Sequence, residues 1–144
     1  MKTLNRTIVG GSACPISMME EFEEQHGVYT HHAWGMTEMS PLGSVNRLIP
    51  GMGNLNASER NEVRAKQGRA PFGVEMKIVD GDSNELPQDG TAFGDLKVRG
   101  WWIADGYFGQ DDNSDTHDGD GWFSTGDVAT IDQYGYLNIT DRTK

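Results

Sequence analysis

From Gly73 onward the apolar residues recur at every second position. Val74, Met76 and Ile78 alternate with Glu75, Lys77 and Val79, and Leu96 and Val98 alternate with Asp95, Lys97 and Arg99. A period of two places successive side chains on opposite faces, so these stretches read as half-buried strands sharing one apolar face. The polar run Asp80 to Gly90 between them reads as a hairpin connection. A last strand pair, Asp127 to Ile131 and Tyr136 to Thr140, is predicted around Asp132-Gln133-Tyr134-Gly135, whose glycine falls at the fourth position of a tight turn.

The front of the chain follows another rhythm. Ile8 and Val9 form a short predicted strand that runs into Gly10-Gly11-Ser12-Ala13, and Pro15 suits the first turn of a helix. Ile16, Met19 and Phe22 recur at helical spacing, with Glu20, Glu21, Glu23 and Glu24 covering the other face and Gly27 as the C-terminal cap. Val28 to Ala33 is then a predicted strand feeding a loop over Trp34 to Glu38. Pro50 to Asn56 is a predicted loop, and Ser58 with Glu62 and Lys66 at i,i+4 suggests a short exposed helix. Three sections result: a mixed α/β segment over about 1–50, a loop and short helix over about 51–70, and a β-rich section over about 71–144.

A chain of 144 residues is about one ordinary domain. Its net charge is −10 and its twelve Lys and Arg are scattered, which argues against nucleic acid or an anionic membrane as partner. No apolar run approaches the roughly 18 to 20 residues that span a bilayer, and the first residues lack the apolar stretch of a signal peptide, so a cytoplasmic protein is expected. The single Cys14 has no partner for an internal disulfide and no evident base to activate it. His31 and His32 point to opposite faces of a strand and make poor joint metal ligands. Asp111-Asp112-Asn113-Ser114-Asp115 begins like a calcium loop but places Thr116 sixth and Trp122 twelfth, and the run from Asp80 fails similarly with Glu85 and Thr91.

Three segments carry chemistry. Trp34-Gly35-Met36-Thr37-Glu38-Met39-Ser40-Pro41 is followed about ninety residues later by Trp122-Phe123-Ser124-Thr125-Gly126-Asp127, and then by Asp141-Arg142-Thr143-Lys144. In this order they resemble the signatures of the adenylate-forming (AMP-binding) superfamily, in its fatty-acid-CoA ligase, or acyl-CoA synthetase, branch. The resemblance implies part of that family's α/β N-terminal domain, whose β-rich, distorted barrel-like subdomain ends at the interdomain hinge, with the remaining N-terminal and C-terminal parts of a parent enzyme missing. It implies ATP, Mg2+ and CoA as co-substrates and metal, and a fatty acid, medium- to long-chain, as the acid.

Carried over residue by residue, the resemblance gives Thr37 the phosphate-binding hydroxyl and Glu38 the magnesium-associated carboxylate. Alone, a Thr-Glu pair reads as a helix cap. Asp127 and Arg142 correspond to the ribose contacts. Their separation also suits a strand, a turn and a returning strand that bring both to one end of a hairpin, which favours a shared ligand. Gly11, Ser12 and Ala13 resemble the adenine-side loop, and His32, Ala33, Trp34, Gly35 and Met36 are expected to line the nucleotide or acyl pocket. For Trp34, core packing is an equal reading. Gly35 is expected to leave space for an acyl chain beside the adaptable Met36, Met39 and Leu42. Gly106-Tyr107 matches the family's Gly-Tyr pair, and Lys144 falls on the hinge position. With neither the Ser/Thr/Gly-rich phosphate loop nor the adenylation lysine present, the 144 residues alone are expected to be inactive. The competing expectation is a stand-alone, degenerate nucleotide- or protein-binding module that uses Trp101, Trp102, Tyr107 and Phe108 as an exposed aromatic surface.

Overall fold

The computed structural model describes residues 3–109 and 116–142. Lys144 and the stretch 111–115 therefore lie outside the described residues. The chain forms two sheets with few helices, mixed α/β in front and β-rich behind.

The first sheet is three-stranded, in the order β1-β2-β3. Strand β1 (Arg6–Val9) runs parallel to β2 (Tyr29–Gly35), and parallel neighbours need a crossover, here helix α1 (Ile16–His26). Pro15 sits one place earlier than expected, as N-cap instead of inside the first turn. Met19 is the fully buried member of the predicted stripe. Gly27 ends the helix in the left-handed region, and the bonds Gly27 N–H to Glu23 O and Val28 N–H to Phe22 O close a Schellman motif.

The predicted loop over Trp34 to Glu38 is part strand and part turn. Strand β2 continues to Gly35 because β3 (Leu42–Val45) returns antiparallel against it, with Trp34 opposite Ser44 and Gly35 opposite Leu42. Thr37–Met39 forms a single 3₁₀ turn between the two strands. At Gly35 a Cβ would collide with the carbonyl oxygen of Pro41, so the missing side chain makes room for the returning main chain. That close approach is by itself reason for a glycine here.

Helix α2 (Ala57–Ala65) starts one residue before Ser58, since Asn56 and Glu59 form a reciprocal capping box. Six of its nine residues are exposed, as its composition suggests. Arg64 is buried and bonded to Glu23 at 2.7 Å, which docks α2 on α1. Lys66 does not pair with Glu62 but reaches Asp132 at 2.6 Å.

The second sheet is antiparallel, ordered β4-β5-β6-β7: Val74–Val79, Phe93–Gly100, Phe123–Ile131 and Leu137–Arg142. Strand β6 begins four residues earlier than its hairpin with β7 suggests, because its first residues pair with β5, Phe123 opposite Val98 and Ser124 opposite Lys97. Val79 departs from the alternation and is buried at 2% exposure, where the returning segment at Glu85 bridges to it and Leu86 N–H bonds Ile78 O. Ile78, Leu96, Val98, Phe123, Ile131 and Leu137 form the centre of the core, and Trp34 and Met39 enter it from the first sheet. Met39, fully buried, is thus core and not acyl wall.

The segment 67–69 stitches the sheets together. Arg69 exchanges backbone bonds with Val45 of β3 at 3.0 Å each, while Gln67 N–H and Gly68 O bond Leu137 of β7 at 2.9 and 2.7 Å. Gly68 has φ +98, and a Cβ there would overlap the Val45–Asn46 backbone, so the seam requires glycine. Among the described residues no helix is long and apolar enough to cross a membrane.

Candidate nucleotide site

A cavity of about 240 Å³ opens where the two sheets meet. Gly11, Ser12 and Ala13 from the turn after β1 form one wall, and His32, Ala33, Trp34 and Gly35 from the end of β2 form another. The third comes from the β6–β7 hairpin, with Asp127, Ile139, Asp141 and Arg142. Met36, Thr37 and Glu38 do not line this cavity; they continue from its Trp34–Gly35 wall onto the 3₁₀ turn.

Asp127 is the polar centre of the cavity. Its Cα partner across the hairpin is Arg142, whose Nε–H donates to Oδ1 at 2.9 Å. On the other side the Trp34 indole N–H donates to Oδ2 at 2.9 Å, and Asp127 N–H is taken by Thr125 Oγ1 at 3.2 Å. The carboxylate is buried at 3% exposure, where an unpaired charge would be costly, and both oxygens are met. An ionised carboxylate offers about four lone-pair sites, so two remain for a pair of vicinal hydroxyls at the cavity. Trp34 accordingly serves both readings made of it, since it packs in the core and also forms cavity wall.

Gln67 is a wall residue that the sequence reading missed. Its carboxamide oxygen accepts Ile139 N–H at 2.7 Å, fixing which end of the amide is spent on the backbone. No motif marks it; its position follows only from the seam. His32 is buried, and its Nδ1–H donates to Ala65 O at 3.1 Å, while His31 Nδ1–H donates to Asn46 O at 2.8 Å. The two rings are anchored to different carbonyls. Burial pushes the Cys14 thiol above its ordinary value and the Arg64 charge offsets this only in part, which leaves a poor nucleophile.

On the turn beyond the cavity, Thr37 is exposed and Glu38 half-buried. The Tyr107 hydroxyl donates to Glu38 Oε1 at 2.6 Å, and Ala104 N–H donates to the Glu38 carbonyl at 2.7 Å. Among the described residues no three His, Cys, Asp or Glu side chains gather to hold an ion. A single carboxylate oxygen beside a hydroxyl fits a hard cation that keeps water and phosphate as its other ligands. Of the four candidate surface aromatics, Trp101, Tyr107 and Phe108 are exposed, the Tyr107 hydroxyl being bonded to Glu38, whereas Trp102 is half-buried and donates its indole N–H to Leu42 O at 2.9 Å.

A family model described as AMP-binding enzyme matches residues 1–108. The 3-methylmercaptopropionyl-CoA ligase of Ruegeria pomeroyi is 52% identical over 144 residues, covering 100% of this chain and 26% of that protein. The medium-chain-fatty-acid–CoA ligase of Ectopseudomonas oleovorans is 49% identical over 143 residues, covering 99% of this chain and 26% of that protein. Among solved structures, the O-succinylbenzoate coenzyme A synthetase of Bacillus subtilis, in complex with ATP and magnesium ion, superposes with a TM-score of 0.76 at 25% identity, covering 96% of this chain and 26% of that one. The chain thus spans about a quarter of the length of the relatives it matches.

Proposed function

The chain belongs to the AMP-binding enzyme family, and from the site it carries we propose that the whole protein is an ATP-dependent acid–thiol ligase acting on a medium- to long-chain fatty acid. A free carboxylate acylates poorly because oxide is a poor leaving group. The acid's carboxylate oxygen attacks the α-phosphorus of ATP, the bond to the β-phosphate breaks, and pyrophosphate departs to leave the acyl-adenylate. The CoA thiol gives up its proton to solvent, its sulfur attacks the acyl carbonyl, and AMP leaves with the C–O electron pair. Positioning and charge neutralisation are most of what a protein contributes to such a step.

In this reading Asp127 accepts the ribose hydroxyls and Arg142 contacts the same sugar. The Gly11–Ser12–Ala13 turn and the His32–Met36 segment receive the base, and Thr37 donates to a phosphate oxygen. Glu38 holds magnesium, which when bound neutralises charge on the polyphosphate. The observation that most supports the reading is the buried Asp127 carboxylate, braced by Trp34 and Arg142 with lone pairs left over at the cavity. A purely structural carboxylate would more simply be absent from a seam between sheets. The names of the relatives support an acid with an apolar tail and bring a short thioether acid into the comparison.

The 144 residues contain no Ser/Thr/Gly-rich phosphate loop, so turnover is assigned to the whole protein. Supplied with ATP, magnesium and CoA, it is expected to release pyrophosphate only when an acid is added, with octanoate or a longer acid preferred over 3-methylmercaptopropionate. Asp127→Ala should weaken ATP binding about a hundredfold, since charge-assisted bonds to both hydroxyls are lost. ATP binding without pyrophosphate release on any of these acids would overturn the ligase reading in favour of a nucleotide-binding module.

A further inference from the structure

Tyr107 lies 69 residues from Glu38 in sequence, yet its hydroxyl donates to that side chain at 2.6 Å. It does so at the end of a strap. The segment from Trp102 to Tyr107 crosses the Thr37–Met39 turn and is tied to it by successive bonds. Trp102 Nε1–H donates to Leu42 O at 2.9 Å, Ser40 Oγ–H donates to Trp102 O at 3.2 Å, and Ala104 N–H donates to Glu38 O at 2.7 Å. Tyr107 then caps the Glu38 carboxylate itself. The strap is anchored from behind, where His117 Nε2–H donates to Ala104 O at 2.9 Å, its Nδ1 accepts Thr116 Oγ1–H at 3.1 Å, and its ring rests 5.2 Å from that of Phe123. The Ala104 peptide is therefore gripped on both sides, and its N–H fixes the backbone of Glu38.

With the backbone held, the remaining freedom of Glu38 is in its side-chain torsions, and a half-exposed carboxylate explores those readily. We propose that Tyr107 is a positioning residue for Glu38, holding Oε1 so that Oε2 is presented to the metal–phosphate group of bound ATP. The proposal rests on the reading of Glu38 given above. A neutral phenol suits this task because it orients the carboxylate without neutralising it, as a lysine or arginine would. The phenol responds in turn: its hydrogen bond to Glu38, then burial and the Glu38 charge, raise Tyr107 above the ordinary tyrosine value.

The test is a double-mutant cycle in the whole protein with Tyr107→Phe, Glu38→Ala and the pair, read by the magnesium dependence of ATP binding in calorimetry alongside kcat and the acid KM. Tyr107→Phe keeps the ring and is expected to raise the magnesium needed for half-maximal ATP binding about tenfold and to lower kcat comparably, with the acid KM and Tm unchanged. In the Glu38→Ala background the same change should have no further effect, because its target is gone. A magnesium curve unmoved by Tyr107→Phe but moved by Glu38→Ala would overturn the positioning role and leave the reading of Glu38 standing. An equal effect of Tyr107→Phe in both backgrounds would make Tyr107 merely structural and overturn it too. If Glu38→Ala leaves the magnesium curve unchanged, Glu38 has no metal role and the proposal falls with that assignment.

Discussion

At the residue scale the site turns on how Asp127 is braced, and its two donors are unequal. Arg142 holds Oδ1 from a side chain that is 79% exposed, where water and salt weaken an ion pair. Trp34 holds Oδ2 from a ring that is 8% exposed, where the same bond is stronger and its loss dearer. Trp34→Phe keeps an aromatic ring but removes that donor together with part of the packed indole. It should weaken nucleotide binding about tenfold while costing about 2–4 kcal/mol of stability from the lost bond and the cavity together, measured by ATP calorimetry and urea unfolding of the same variant; unchanged affinity would mean that Arg142 suffices. The Asp127–Arg142 pair was legible in sequence because a hairpin converts spacing into register. The Trp34–Asp127 bond spans 93 residues and the Tyr107–Glu38 bond 69, and no local pattern encodes contacts that arise only when separate strands meet. Gln67 escaped for the same reason.

At the element scale the β6–β7 hairpin closes over Asp132. Its Oδ1 accepts Tyr134 N–H at 2.9 Å and Tyr136 N–H at 3.0 Å, while Oδ2 takes Lys66 at 2.6 Å. Burial pushes this carboxyl up, but Lys66 and the two backbone donors outweigh it and hold it below its ordinary value of 3.8. A group depressed in the folded state binds its proton first in the unfolded chain. Its contribution is therefore complete above 3.8 and is lost as pH falls below that value toward the folded one. Asp80, held low first by Asn84, and Asp89, held low by the N–H groups of Ala92 and Thr91, share this acid limb from exposed turns. Asp132→Asn should lower stability by about 1–2 kcal/mol at neutral pH, and thermal scans below pH 4 should show a smaller further loss than in the unaltered chain. Equal acid slopes would place the sensitivity elsewhere. The turn itself was readable from Asp132 to Gly135, as were α1 and the alternation in β4 and β5, since each is written in consecutive residues. Strand β3 was not, because Pro41 and Gly43 disguise a strand that is justified by non-local partners, the edge of β2 and Arg69. The early start of β6 was equally hidden, since its partner there is β5.

At the scale of the whole molecule the cavity is a property of the seam. Trp34 and Gln67 reach it from one side and Asp127, Ile139 and Arg142 from the other, so nucleotide binding requires both sheets to be docked. Tyr136 is the buried tie that reports on this docking. From the turn before β7 its hydroxyl donates to Arg47 O at 2.8 Å and accepts Ile49 N–H at 3.2 Å, both in the segment after β3. At 1% exposure the ring fills the junction, and Tyr136→Phe would keep that volume while leaving both backbone groups without this partner. The cost should be about 1–3 kcal/mol. If the sheets unfold as one cooperative unit, that loss appears as a single transition shifted to lower denaturant at unchanged slope, with far-ultraviolet circular dichroism and tryptophan fluorescence superimposed. Should the two probes separate in the variant, the front and back sheets are independent units held together at this tie, and ATP affinity should then fall in step with the earlier transition. Coincident curves would instead make the site as stable as the fold, because no partly unfolded form would exist in which the sheets persist and the cavity is lost.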